Sequence, residues 1–456
     1  SASKEDIISK LPDDILVSII TRAPTKSAIR TSILSKRWRS LYKCMSEIHL
    51  RCDDLLWPYP SAPHFSQSGL IVYRLERFFS HYSGSKIRSL SLNCCLNKSY
   101  MEQCIYSLGK LDVEELILFF CCCWNPRGVS FSCHLFSMIP SLRHCMLASC
   151  TLTPNLKSPL CNTTCTTLDL RIATILVGSL DCILSNCLSL HSLCISICNS
   201  PSKLCFRGPN LPLKTLIIEQ CEGLEEIEIY ASNLVTLEYK SRDNLKMINF
   251  IFDHVPRLQT LYLAPEGRNL MSYVFGRLPK DLPQLKYLTF DSKGDFDQRL
   301  MRMGIETFSK LTRLELKIFV THRTNLLALG PFLESCPLLQ EFHLEAYNLS
   351  CEGAKQQSSL VVPHLELKKV EISGFVGTEN DVEFALYILK SAVNLEQLLI
   401  SRCPKYSIGN GKWMRIRRHT KAVPFANPPK KPPPLHKPGS CIDFCVFLPK
   451  KILKTQ

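Results

Sequence analysis

The sequence predicts an α/β protein: a small N-terminal module of three helices, then an irregular solenoid of parallel strands, then capping units at the C-terminal end. Three observations predict it. A short apolar pattern recurs along most of the 456 residues, at steps that fit one strand and one return segment each. The first forty-odd residues carry apolar pairs four apart, which is helical rather than strand periodicity. The composition, 45% hydrophobic and 21% charged, is that of a chain able to bury a large core rather than stay disordered.

The recurring pattern is L-x-x-L-x-L, with Ile, Val, Phe, Tyr or Cys as substitutes. It runs from Ile87-Leu90-Leu92 and Val113-Leu116-Leu118 through Leu258-Leu261-Leu263 to Leu395-Leu398-Ile400, fourteen times in all. Most steps between successive middle members are 23 to 29 residues, in or near the range of leucine-rich repeats. The exceptions are steps of 11 and 10 around Ile227, which predict strands joined by tight turns without an intervening helix. Each L-x-L is a short strand whose alternate residues point one way into the core. One repeat cannot bury that face alone, but stacked neighbours can. Pro140, Pro256, Pro283 and Pro337 stand just before their strands, where proline ends a helix and favours extended backbone.

The 24 cysteines predict free, buried thiols in a reducing compartment, since the chain is long, apolar and without a secretory h-region. Cys121, Cys122 and Cys123 are contiguous and would alternate faces of a strand, and Cys161/Cys165 and Cys441/Cys445 are isolated pairs. No metal site is expected from such spacing. Cys150, Cys198, Cys221 and Cys403 stand where the asparagine ladder of regular repeats belongs, as small fillers. These irregular repeats resemble those of plant F-box proteins. The longest apolar stretch, Leu116 to Trp124, is about half the ~20 residues a membrane span needs.

Residues 4–45 read as three short helices. Pro12, Asp13 and Asp14 suit a helix start. Ile15 with Ile19, and Leu16 with Ile20, share faces at i,i+4. Pro24 breaks that helix, Thr25 can cap a second carrying Ala28, Ile29 and Ile33, and Ser35 can cap a third carrying Trp38 and Leu41. So many apolar positions exceed what a module of this size hides in its own core, which predicts a docking face. Leu11-Pro12-Asp13-Asp14-Ile15-Leu16, Ile19 and the run Ser32-Ile33-Leu34-Ser35-Lys36-Arg37-Trp38-Arg39 closely resemble the F-box. The resemblance implies binding to a Skp-type adaptor, and through it to cullin and RING subunits. Leu11, Pro12, Ile15, Leu16, Ile19, Leu34, Trp38 and Leu41 are then contact or module-core residues, two roles that one sequence leaves open.

The solenoid is expected over 46–362, with a first strand near 48–50 and repeats from about 86. Residues 363–404 are similar to the FBD segment of plant F-box/leucine-rich proteins. They hold a strand, an acidic turn and a helix whose apolar stripe reads as Val382, Leu386, Leu389 and Val393. Their expected role is to close the open end of the solenoid. From Lys405 onward twelve bases face one acid, Asp443, so +11 of the formal +15 lies in residues 405–456. With Pro428, Pro429, Pro432, Pro433 and Pro434 this reads as a flexible, polyproline-like basic tail. The body, at +4, excludes a general nucleic-acid-binding domain.

No Gly-rich phosphate loop, H-E-x-x-H or nucleophile motif appears, so the expected protein is not an enzyme and needs no cofactor. The resemblance implies the substrate-recognition subunit of an SCF-type ubiquitin ligase, located in cytoplasm or nucleus. It would raise the effective concentration of a target lysine near the charged ubiquitin carrier. The alternatives are a small-molecule-dependent co-receptor of the same architecture, or an F-box scaffold outside the ligase. The target is expected on the open strand face, where Tyr262, Tyr287, Arg313, Glu315, Lys317, Glu341, His343 and Glu345 flank core positions. Mixed charge with tyrosine suits a protein ligand.

Overall fold

The computed structural model describes residues 8–23, 25–41, 45–56, 67–82, 86–120, 129–154, 164–208, 210–241, 248–264, 270–295, 304–320, 324–348, 362–402, 405–407, 413–415 and 443–447. The chain divides into two compact units, Ser1–Ser232 and Asn233–Gln456.

In the first unit seven strands run parallel in chain order: Glu47–Arg51, Ile87–Asn93, Val113–Phe119, His144–Ala148, Thr167–Arg171, Ser192–Ser196 and Thr215–Glu219. The second unit repeats the arrangement with Thr236–Lys240, Thr260–Ala264, Tyr287–Asp295, Arg313–Val320, Glu341–Asn348, Lys369–Ser373 and Gln397–Ser401. The register stacks like on like: Leu168 lies opposite Cys145 and Leu193, and Leu314 opposite Leu288 and Phe342. These L-x-L positions are buried in every strand except at Ile400, in the last, which is half-buried, so each layer of apolar side chains is completed by its neighbours. The last parallel strand, Gln397–Ser401, is paired antiparallel by Asp443–Phe447, which satisfies an otherwise open sheet edge.

One predicted strand lies elsewhere. Glu226–Tyr230, from Leu224-Ile227-Ile229, pairs with Lys203–Arg207 in a separate sheet on the return side. Its half-length steps have a physical origin, since it is the return strand of a repeat whose return segment is extended rather than helical. A second return-side sheet joins Val129–Ser132, Cys150–Thr153 and Thr174–Ile175.

Between a first strand and its return segment, four repeats turn on one residue in the left-handed region: Ser149, Ile172, Ile197 and Gln220, at φ +58, +51, +55 and +50. The residue that follows each corner occupies the ladder position: Cys150, Ala173, Cys198 and Cys221. Cys198 Sγ donates to the Ser196 and Leu170 carbonyls at 3.3 and 3.5 Å, and Cys221 Sγ to Ile195 O at 3.6 Å. The thiol is thus a small buried filler that also reaches back to the preceding repeat. Burial pushes the Cys198 thiol up to about 11, and Cys150 and Cys221 to about 12. None of the cysteines whose side chains are described is in a disulfide. Cys121–Cys123, Cys161, Cys403 and Cys441 lie outside the described residues, as do Pro24 and the prolines from Pro428 to Pro434.

The return segments end on a shared turn. Leu142 N donates to Ile139 O at 3.2 Å, Leu258 N to Val255 O at 3.1 Å, Leu285 N to Leu282 O at 3.2 Å and Leu339 N to Cys336 O at 3.1 Å. The second residue of each turn is Pro140, Pro256, Pro283 or Pro337, where a fixed φ is pre-set for a β-turn. Each proline therefore does more than stop a helix: it aims the leucine two places later into the core.

The helix Glu379–Ser391 begins in a capping box between Thr378 and Asp381. Asp381 also accepts from Val376 N and Gly377 N at 3.1 and 3.0 Å. Its buried face is Phe384, Ala385, Tyr387 and Ile388. The predicted stripe is turned outward, with Val382, Leu386 and Val393 exposed. Two apolar stripes compete on this helix, and the one with two aromatic rings, which bury more surface, takes the core. Asn380 ties the helix down, accepting from Leu326 N at 2.9 Å and donating to Thr324 O at 3.0 Å. Among the described residues no helix is long and apolar enough to cross a membrane.

Candidate functional site

Two surfaces carry the side chains that chemistry would use. The first belongs to the N-terminal module, built from α1 (Asp13–Thr21), α2 (Thr25–Arg30) and α3 (Lys36–Leu41), with single 3-10 turns at Ile8–Lys10 and Thr31–Ile33. Pro12 stands one residue outside α1, at its N-cap. Leu16, Ile20, Ala28, Trp38, Leu41 and Met45 form the core, with Leu11 and Val17 packed at its margin. Arg37 joins α3 to the start of α1: its Nε and Nη2 donate to Asp13 at 2.7 and 2.5 Å, and Nη2 also to the Leu11 carbonyl. Ser35 Oγ accepts from Trp38 N at 3.3 Å, capping α3. Thr25 is buried at the start of α2, where its hydroxyl accepts from His49 N at 2.9 Å and pins the module to the first strand.

The module sorts the residues that sequence left together. Leu16, Trp38 and Leu41 are core, whereas Ile15 and Ile19 are 44% and 46% exposed, and Leu34 is 64% exposed. Two pairs at i,i+4 on one short helix point opposite ways, one inward and one to solvent. Ile8 and Ile33, which the sequence reading did not select for docking, join the exposed set. Ile33 was expected on the second helix, but that helix ends at Arg30 and Ile33 lies on the 3-10 turn that follows, while Ile8 lies on a 3-10 turn ahead of α1. A shallow cavity of about 280 Å³ beside α2 is lined by Lys26, Ile29, Arg30, Leu50, Asp54, Leu55, Arg74 and Phe78.

The second surface is the open strand face of the second unit. The register sets the predicted residues in rows across the strands: Tyr287, Arg313, Glu341 and Lys369 in one, and Tyr262, Thr289, Glu315, His343 and Glu371 in the next. Asp291, Lys317, Glu345 and Ser373 form a third. Opposite charges meet in the first and third rows, and in the second the His343 ring faces a carboxylate. Glu341 takes Arg313 at 3.4 Å and Lys369 at 3.3 Å, and His343 Nδ1 lies 3.3 Å from Glu371. Lys317 Nζ is 2.8 Å from Glu345, with side chains only 2% and 4% exposed. Tyr262 is buried beneath Lys240, whose Nζ lies 5.1 Å from its ring centre. Of the eight predicted residues, Tyr287 is exposed and Arg313, Glu341 and His343 are partly exposed, while Glu315, Lys317, Glu345 and Tyr262 are closed into the face. Lys369 and Glu371 extend the same rows, which continued period-two reading past Leu367 would have found.

Among the described residues no group of three or more His, Cys, Asp or Glu could hold a metal ion. The family described as At1g61320/AtMIF1, LRR domain, matches residues 78–425, and the F-box domain matches residues 8–41. The FBD-associated F-box protein At5g60610 of Arabidopsis thaliana is 25% identical over 87% of this chain and all of its own length. The FBD-associated F-box proteins At4g10400 and At1g61320 of the same plant are 24% and 23% identical, over 87% and 85% of this chain and 92% and 87% of their own. With most of its length matched by that repeat family and its N-terminus by the F-box, the chain belongs to the plant F-box/FBD/leucine-rich-repeat family.

Proposed function

We propose that this chain is the target-holding subunit of an SCF-type cullin–RING ubiquitin ligase. The F-box docks on a Skp-type adaptor, the repeats hold a protein target, and the bond-making chemistry belongs to other subunits. The observation that carries the reading is the division of the F-box side chains. Ile8, Ile15, Ile19, Ile33 and Leu34 are exposed on a module whose core is filled by a different set. Burying each such side chain contributes roughly 1.5–3 kcal/mol before association costs, and this many water-facing aliphatic side chains on so small a module mark an interaction surface. The boundaries follow as F-box 4–45, repeats 46–362, FBD 363–404 and basic tail 405–456. In this division the FBD strands and helix close the end of the repeats. The free thiols suit a reducing compartment, cytoplasm or nucleus.

The test is capture of a purified Skp-type adaptor by the full-length chain. Ile15→Asp combined with Leu34→Asp should lower capture at least about a hundredfold, since two anchors of a small interface are replaced by charge, while the circular dichroism spectrum stays unchanged. Leu16→Asp and Trp38→Asp place a charge in the core and should lose capture together with F-box folding. Capture by the Ile15/Leu34 variant at wild-type level would refute the docking face.

A further inference from the structure

We propose a target-recognition site on the open face of the first unit, centred on Asp169, Ile172 and Ile197, that takes a protein segment in which aliphatic side chains alternate with lysine or arginine. The proposal rests on the target-holding reading above and gives it a place and a partner chemistry.

The first support is an expense without a structural return. Ile172 and Ile197 turn successive repeats in the left-handed region, and their corners are adjacent, since Ile172 N donates to Ser196 O at 3.0 Å. A β-branched residue is a poor choice there. Glycine, which this chain uses at φ +79 directly after the strand Lys369–Ser373, as Gly374, relieves the strain, and asparagine lowers it. Nor does burial explain the choice, because Ile172 is 51% and Ile197 48% exposed. Strained residues that neither backbone preference nor packing accounts for gather at binding surfaces.

The second support is charge. Asp169 lies on the face opposite the buried Leu168 and Leu170. Its Oδ2 accepts from Arg171 at 2.6 and 2.9 Å. Its Oδ1 is closed off from water and takes no hydrogen bond from a described N–H or O–H, while the weak thiol of Cys194 lies against the carboxylate. Along the strands from Val113 to Glu219 the face-directed residues include Glu115, Asp169 and Glu219 against one arginine, Arg171. Ile117, Met146 and Ile217 supply apolar ground between them.

The test uses the full-length chain and two fluorescein-labelled octapeptides, read by anisotropy. One has two leucines alternating with lysine and arginine between Gly-Ser ends; the other has glutamate for both bases. The basic peptide should bind at least about tenfold tighter, a preference that Asp169→Asn largely removes. Ile172→Asn with Ile197→Asn should weaken the basic peptide about tenfold while the melting temperature holds or rises, as strain is relieved. Equal binding of both peptides, wild-type binding by the variants, or a fall in melting temperature in the isoleucine variant would each overturn the site. Adaptor capture is measured alongside: its persistence while the peptide preference fails would sink this site and leave the ligase reading standing.

Discussion

Gly374 is fixed by two constraints at once. Its φ of +79 lies in the left-handed region, and a Cβ there would stand 2.0 Å from the carbonyl oxygen of Ala346. Gly374→Ala should therefore cost about 1–3 kcal/mol from the backbone alone, with the clash in addition, seen as a lower urea midpoint. The Lys317–Glu345 pair tests another residue-scale effect. Both groups are buried, so removing one charge strands the other. Lys317→Met should cost about 3–5 kcal/mol, and adding Glu345→Met should recover most of it. A double variant no more stable than the single one would show that the pair is not what holds these strands. His364 gives the pH dependence. Burial holds its imidazole below the ordinary value of 6.5, with Nε2 3.2 Å from Tyr387 Oη. As pH falls below that value the unfolded chain takes the proton first, so this contribution to stability, full above it, is lost on acidification. His364→Gln should flatten the fall in melting temperature between about pH 7 and pH 5.5.

At the scale of elements, the strands were legible because L-x-x-L-x-L couples a period of two to a buried turn leucine, two signals that agree. Leu224-Ile227-Ile229 shows the limit of that agreement. A return strand also alternates apolar and polar, so the pattern detects a strand without saying which sheet it joins. The helix Glu379–Ser391 shows another limit: its capping box is readable, but with apolar residues on both sides only packing against Phe342, 6.4 Å from Phe384 between ring centres, chooses the face. In α1 the same ambiguity bears on the proposed docking face. Ile15/Ile19 and Leu16/Ile20 are indistinguishable by spacing, and the fold separates an outward pair from an inward one. The corner isoleucines carried no sequence signal at all, since a positive φ at Ile172 or Ile197 is imposed by the stacking of repeats rather than by any local turn residue.

On the scale of the whole molecule, the buried thiols make a distributed prediction. Cys150, Cys165 and Cys336 are each pushed up to about 12 by burial, so they stay protonated and unreactive in the native chain. Peptides carrying them should resist alkylation until the repeats unfold, then label together; early labelling would mean the repeats open separately. The larger claim is a division of labour, with the adaptor on the helical front and the strand faces left free. Hydrogen exchange of the full-length chain, with and without a saturating Skp-type adaptor, tests it most directly. The account predicts new protection confined to residues 8–41, with exchange along the strands from Ile87 to Ser401 unchanged. Protection on the strands with none at the F-box would contradict it.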